Sequence, residues 1–173
     1  MKKFSKLIAL VLSTVMVLTL LTACNPSNDP METFDQKFKS DPQKQAEVLS
    51  DLNEVRKSYG SPALSEVSDA DAIAKKYASL VLLHNAGDLS DEIYHTYWQH
   101  TKAKTVNGKS QVGFACVNAS LNKQQLSDWG VDEFYRTGSA ECYSKLILDT
   151  NTTMVGIAVV EQNGKTCSCI VSY

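Results

Sequence analysis

Residues 152–173 read Thr-Thr-Met-Val-Gly-Ile-Ala-Val-Val-Glu, then Gln162-Asn163-Gly164, then Lys-Thr-Cys-Ser-Cys-Ile-Val-Ser-Tyr. Two runs rich in β-branched residues flank Asn-Gly, the dipeptide that tolerates the positive φ angles of a tight turn. The spacing predicts a closing hairpin, Thr152–Glu161 paired with Lys165–Tyr173. Upstream, Val112, Phe114 and Cys116 alternate with small residues and predict one more short strand.

The rest of the pattern is helical. Asp41-Pro42 is an N-cap followed by the residue best suited to the first helical position. Val48, Leu49, Leu52, Val55 and Tyr59 then form one apolar face, and Gly60 with Pro62 ends it. Ser68-Asp69-Ala70-Asp71 resembles a capping box, opening a helix with Ile73, Ala74, Tyr77, Ala78, Val81 and Leu82 on one side and Gly87 at its end. Ser90 caps a third helix carrying Ile93, Tyr94, Tyr97 and Trp98, and Asn107-Gly108 marks a turn in the loop that follows. Ser127–Arg136 and Ser139–Leu148 read as two short helices broken at Gly138. Helices, a strand, more helices and a hairpin predict an α+β layered domain with a small antiparallel sheet.

The N-terminus is an address rather than part of that domain. Lys2, Lys3 and Lys6 precede an almost wholly aliphatic run, Leu7–Leu21, and then Leu21-Thr22-Ala23-Cys24. The run is shorter than the ~20 residues a bilayer core needs, so it reads as a secretory signal peptide. A cysteine at that place resembles the lipobox of bacterial lipoproteins, which makes Cys24 the acylated N-terminus of the mature chain. The expected organisation is signal peptide 1–23, acylated tether 24–40 and domain 41–173, on the extracytoplasmic face of a bacterial membrane. The tether assignment rests on the polar, proline-punctuated stretch that begins Asn25-Pro26.

Removing residues 1–23, with three lysines and no acids, takes the formal charge from −2 to −5. A mildly acidic chain argues against nucleic-acid binding and against adhesion to anionic lipid, so acyl chains on Cys24 are the expected membrane contact. Beyond Cys24 the cysteines are Cys116, Cys142, Cys167 and Cys169. An even set in an oxidising compartment suggests disulfides, with three possible connectivities. Cys167 and Cys169, two apart on a strand, share a face and are a poor pair for each other. Zinc is a weaker reading, because Cys-x-Cys has no second ligand pair at suitable spacing.

Three blocks stand out in order along the chain. The first is Leu52-Asn53-Glu54-Val55-Arg56 with Pro62-Ala63-Leu64, followed by Ala74, Tyr77 and Ala78. The second is Val131-Asp132-Glu133-Phe134-Tyr135. The third runs from Leu146-Ile147-Leu148 through Thr153-Met154-Val155-Gly156-Ile157-Ala158-Val159. Together they resemble the CAP superfamily (the cysteine-rich secretory, antigen 5 and pathogenesis-related proteins, or SCP domains). The resemblance spans roughly residues 46–173 and implies a CAP-like α-β-α layered fold. Many members of that family hold two histidines and two glutamates around a central cavity that can take a divalent metal. Here the second histidine would fall near Cys142 or Tyr143, and the glutamates near Phe114–Cys116 and Arg136–Thr137. None of those positions carries the ligand. Only His84 or His95 could stand for the first histidine, so the resemblance implies a lost metal site and no cofactor. It also places the Cys116 and Cys142 positions beside one cavity, which implies a Cys116–Cys142 disulfide; the rival pairing joins either to Cys167 or Cys169.

There is no G-x-S-x-G, H-E-x-x-H or P-loop. His95 and His100 are five apart, off the spacing that puts two ligands on one helical face. Candidate cavity residues are His84, His95, Tyr97, Trp98 and Tyr143. The expected role is a non-enzymatic binding module for a small apolar ligand, a cell-wall component or a protein partner. The alternative is a hydrolase or thiol enzyme in which Cys116 or Cys142 works with a histidine.

Overall fold

In the computed structural model, residues 37–132 and 141–173 are described. The lipobox and Cys24 lie outside them, as do the end of the second family block and the helix break at Gly138. Along the chain run α1 (Pro42–Ser58), β1 (Ser65–Glu66), α2 (Ser68–Ala86), α3 (Asp91–Lys102), β2 (Gly113–Val117), α4 (Lys123–Val131), α5 (Glu141–Leu148), β3 (Met154–Gln162) and β4 (Lys165–Ser172).

The closing hairpin forms as its turn residues require. Asn163 and Gly164 take φ of 51° and 73°, and Gln162 pairs with Lys165. The sheet order is β1-β3-β4-β2, with β2 antiparallel on β4 and β1 parallel on β3. The sheet is therefore mixed rather than purely antiparallel. β1 is only two exposed residues long, and what makes it a strand is the edge of β3 beside it.

Both faces are covered, which explains why β3 and β4 are almost continuously buried instead of alternating. One face carries Ala115, Val155, Ile157, Val159 and Ile170 into a core with Val48, Leu52 and Val55 of α1, Leu126 and Trp129 of α4, and Leu146 and Ile147 of α5. The other face carries Phe114, Cys116, Gly156, Ala158, Cys167, Cys169 and Val171, and α2 packs along it. The approach is close at Gly156: a Cβ there would sit 2.0 Å from the backbone carbon of Ala70. Three layers, α-β-α, are the result.

Caps hold the helix ends. Asp41 accepts from the amides of Gln43 and Lys44, Ser90 from Ile93, and Gly87 closes α2 in the left-handed region. Two expectations are corrected. Asp71 does not cap α2, whose N-cap is Val67 without a side-chain bond; its Oδ1 instead accepts from the amide of Ile157, 2.9 Å away, tying α2 to β3. The helix expected from Ser127 begins at Lys123, capped by a reciprocal Asn122–Gln125 box. The packed unit also reaches into the expected tether: Phe38 is buried and Ser40 bridges Val160 at the edge of β3.

The first family block works as scaffold. Asn53 brackets Leu64, accepting from its amide at 2.7 Å and donating to its carbonyl at 3.0 Å. Arg56 is fully buried and donates to the carbonyls of Pro62, Leu146 and Asp149. Desolvation lowers its pKa, opposed by the charge of Asp149, but a guanidinium stays protonated throughout.

Candidate functional site

Where α3 leans against α2 and the edge strand β2, three rings meet. Tyr77 projects from α2, Trp98 from α3 and Phe114 from β2. Tyr77 and Trp98 have centroids 4.7 Å apart, Tyr77 and Phe114 4.8 Å, and Trp98 and Phe114 5.2 Å at 85°. Edge-to-face and tilted contacts of this kind satisfy the ring quadrupoles and stiffen the wall they build.

These rings line a cavity of about 230 Å³, completed by Lys102, Gln111, Val112 and Cys142. The Tyr77 hydroxyl donates to the Gln111 side-chain oxygen at 3.2 Å, and the NH₂ on the other side of that amide is a donor group that this bond does not use. Burial pushes the Tyr77 phenol well above its usual range, and the hydroxyl stays protonated at any physiological pH. Burial also raises the Cys142 thiol, against the lowering influence of nearby backbone amides and of Lys145 and Lys102. A thiol so shifted is a weak nucleophile at neutral pH. The chemistry on offer is an apolar aromatic wall, one amide, one ammonium group and a protonated thiol.

Of the expected cavity residues, Trp98 lies in this wall. Tyr97 is half-buried on the same helix and is not among the lining residues. His84 stacks on Tyr94 with centroids 4.3 Å apart, and its Nε2 meets Asp91 Oδ1 at 2.7 Å. That hydrogen bond and the histidine's charge hold Asp91 below its ordinary pKa. His95 is exposed at the edge of Tyr94. Tyr143 stands edge-on to Trp129, 5.0 Å away, against the core beneath the opposite face of the sheet. Desolvation pushes its phenol up to about 12. Tyr77, Phe114, Gln111 and Cys142 were not anticipated as one site.

The cysteines divide. Cys116 Sγ lies 3.8 Å from Cys167 Sγ, whereas Cys142 belongs to the aromatic pocket. No disulfide joins any two of them among the described residues. Among the described residues no group of three or more histidine, cysteine, aspartate or glutamate side chains is arranged to hold a metal ion.

A second, larger groove of about 600 Å³ runs between the end of α2 and the hairpin turn, lined by Asn85, Asn118, Ser120 and Lys165 among others. It is broad and polar, and two of its amides are spent on each other, with Asn85 donating to Asn118 at 3.0 Å. Ligand sites are more often apolar clefts with a few placed polar groups, which favours the smaller aromatic pocket.

The profile of the Cysteine-rich secretory protein family, CAP, matches residues 49–171, which is most of the chain. The chain belongs to the CAP family. No individual curated protein matches it. CAP proteins are in general non-enzymatic domains of extracellular type. In this CAP domain the matched span begins inside α1 and ends inside β4, so it covers both helical layers and the sheet.

Proposed function

We propose that this CAP domain is the binding module of an extracytoplasmic lipoprotein, held to the membrane through Cys24, and that its site is the pocket of Tyr77, Trp98 and Phe114. The observation that carries this reading is the three-ring wall around a cavity of about 230 Å³ with only Lys102 and Gln111 as strongly polar lining. A cavity of ~150 Å³ can hold benzene, so this one suits a single ring or short branched chain with one polar or anionic group. The ammonium of Lys102 favours an anion at the rim, and the Gln111 NH₂ supplies one directional donor.

Binding without turnover agrees with the surroundings. The Cys142 thiol is shifted away from reactivity, and His84 is occupied by Asp91 and Tyr94. The test is co-purification: protein taken from membranes under mild conditions, denatured, and its released small molecules identified by mass spectrometry. A small apolar or amphipathic compound released from the parent and absent from a folded Trp98→Ala variant supports the reading. Equal recovery from both proteins contradicts it, and a covalent adduct of substrate fragments on Cys142 would instead favour the thiol-enzyme alternative.

A further inference from the structure

Between the sheet and α2 lies a group of thiols that the binding function does not use. Cys116 sits on β2 directly opposite Cys169 of β4, and Cys167 is two residues along β4 on the same face. The kind of pairing follows from the neighbouring ladder. Tyr173 and Met154 exchange both backbone hydrogen bonds, at 3.0 and 3.3 Å, so residues 171, 169 and 167 direct theirs toward β3 as well. The alternate residues of β4 serve β2, as the bond from the Val112 amide to the Ser172 carbonyl illustrates. Cys116 and Cys169 are therefore a non-hydrogen-bonded pair, the class whose Cα atoms approach to ~4.5 Å. That separation falls within the range a disulfide spans. The sulfur of Cys116 meanwhile points at Cys167, 3.8 Å away. At Cys169, closing to bonding distance requires side-chain rotation rather than strand movement; at the diagonal Cys167 the sulfurs are already near, but the bond would also need the strands to shift.

We propose that Cys116 forms a cross-strand disulfide with the Cys167–Cys169 pair, fastening the edge strand β2 to β4. The chemistry is thiol–disulfide exchange with a small disulfide such as oxidised glutathione. The Cys116 thiolate attacks one sulfur of the donor, forming a mixed disulfide and releasing one glutathione thiol. A β4 thiolate then attacks the Cys116 sulfur and releases the second, so two protein thiols are oxidised and one donor disulfide is reduced. Cys116 is assigned as the entry point because β2 is an edge strand and the residue as a whole is less covered than Cys167 and Cys169, so a local opening of β2 would bare its sulfur first. Burial raises the thiols of Cys116 and Cys169, and contact with Cys116 together with burial raises that of Cys167, so exchange is slow but not blocked.

Trypsin separates the partners, since Ser110–Lys123 carries Cys116, Thr137–Lys145 carries Cys142 and Thr166–Tyr173 carries Cys167 and Cys169. The full chain is equilibrated natively with oxidised glutathione, alkylated and digested without reduction. The expected product joins Ser110–Lys123 to Thr166–Tyr173, with a melting temperature roughly 10 °C above that of the reduced protein. Cys116→Ser should lose both, and so should the double variant Cys167→Ser with Cys169→Ser. The proposal is overturned by a link from Ser110–Lys123 to Thr137–Lys145 or to the Cys24 peptide. It is equally overturned by a Cys167–Cys169 bond within one peptide, by full alkylation after oxidation, or by a Cys116 link that survives in the folded double variant. Peptide mapping of the parent chain decides the matter even where a serine variant fails to fold.

Discussion

Arg56 donates from Nη1 to the carbonyl of Leu146 at 2.5 Å, across 90 residues of sequence, and so joins the end of α1 to the last turn of α5. The carbonyls at a helix C-terminus have no partner within the helix and carry the negative end of its dipole, so a buried planar cation suits them. Nε and Nη2 of the same group hold Pro62 and Asp149. One side chain thus fixes the Pro62 turn, the end of α5 and the approach to β3.

Arg56→Lys should therefore be costly. A lysine keeps the charge but has no planar fork, so at least two buried carbonyls lose their donor, at about 1–2 kcal/mol each. Urea unfolding is expected to show a loss of about 3 kcal/mol. A loss under about 1 kcal/mol would contradict the assigned role.

Asp71 gives a pH signature. Desolvation, helped by the charge of Glu66, raises its pKa to about 6, against the lowering effect of hydrogen bonds from the Ile157 amide and Gln45. The folded state thus holds this proton more tightly than the unfolded chain, whose aspartate titrates near ~3.9. The contribution of Asp71 is fully favourable below about pH 4 and is lost as pH rises through about 6. Asp71→Asn keeps an acceptor for Ile157 and removes the charge. Discounted for partial exposure, the variant should gain about 1 kcal/mol over the parent at pH 7 and nothing at pH 4. Thermal melts of both proteins across that range, giving a difference that does not change with pH, would refute this.

Gly156 is set by packing rather than by dihedral angles. An added methyl would meet the Ala70 backbone at 2.0–2.1 Å, where no flexible side chain can yield. Gly156→Ala should push α2 off the sheet and cost about 3 kcal/mol or more, the upper end for overpacked cores. Denaturation within 1 kcal/mol of the parent would mean that the helix is not seated so closely.

Anchoring rests on Leu21-Thr22-Ala23-Cys24 after the apolar run. If the proposed lipoprotein reading holds, Cys24→Ala should leave the membrane fraction and lose palmitate labelling, since it would remove acyl chains that supply ~0.8 kcal/mol per buried CH₂. Unchanged fractionation and labelling would remove the lipoprotein reading while leaving the domain intact.

What could be read from the chain was local. Asp41-Pro42, Ser90, Gly87 and Asn163-Gly164 act on residues within a turn of themselves, and each marks an element where its chemistry says it should. Asp71 misled because its partner, Ile157, is 86 residues away, and nothing in a capping pattern distinguishes an aspartate aimed at its own helix from one aimed at a strand. β1 carried no signal, since two exposed residues have no period. The pocket draws Tyr77, Trp98, Phe114 and Cys142 from four separate elements, and only Trp98 was anticipated because it belongs to a visible aromatic cluster. Tyr77 reads as an ordinary core residue of α2, and it is indeed 1% exposed; its role as cavity floor depends on where α3 crosses. The resemblance pointed to a Cys116–Cys142 pairing, and the register of β2 on β4 brings Cys116 beside Cys167 and Cys169, the partners of the rival pairing.

The pocket itself is tested most directly by titrating the ¹⁵N-labelled protein with benzoate, a one-ring anion of suitable size, and following amide and indole shifts by NMR. The account predicts saturable shifts at the Trp98 indole, the Gln111 side-chain amide and the Phe114 backbone, and their disappearance in a Trp98→Ala variant that keeps the dispersion of a folded protein. No saturable shift at these groups, or shifts confined to Asn85, Asn118 and Lys165 in the polar groove, would contradict it.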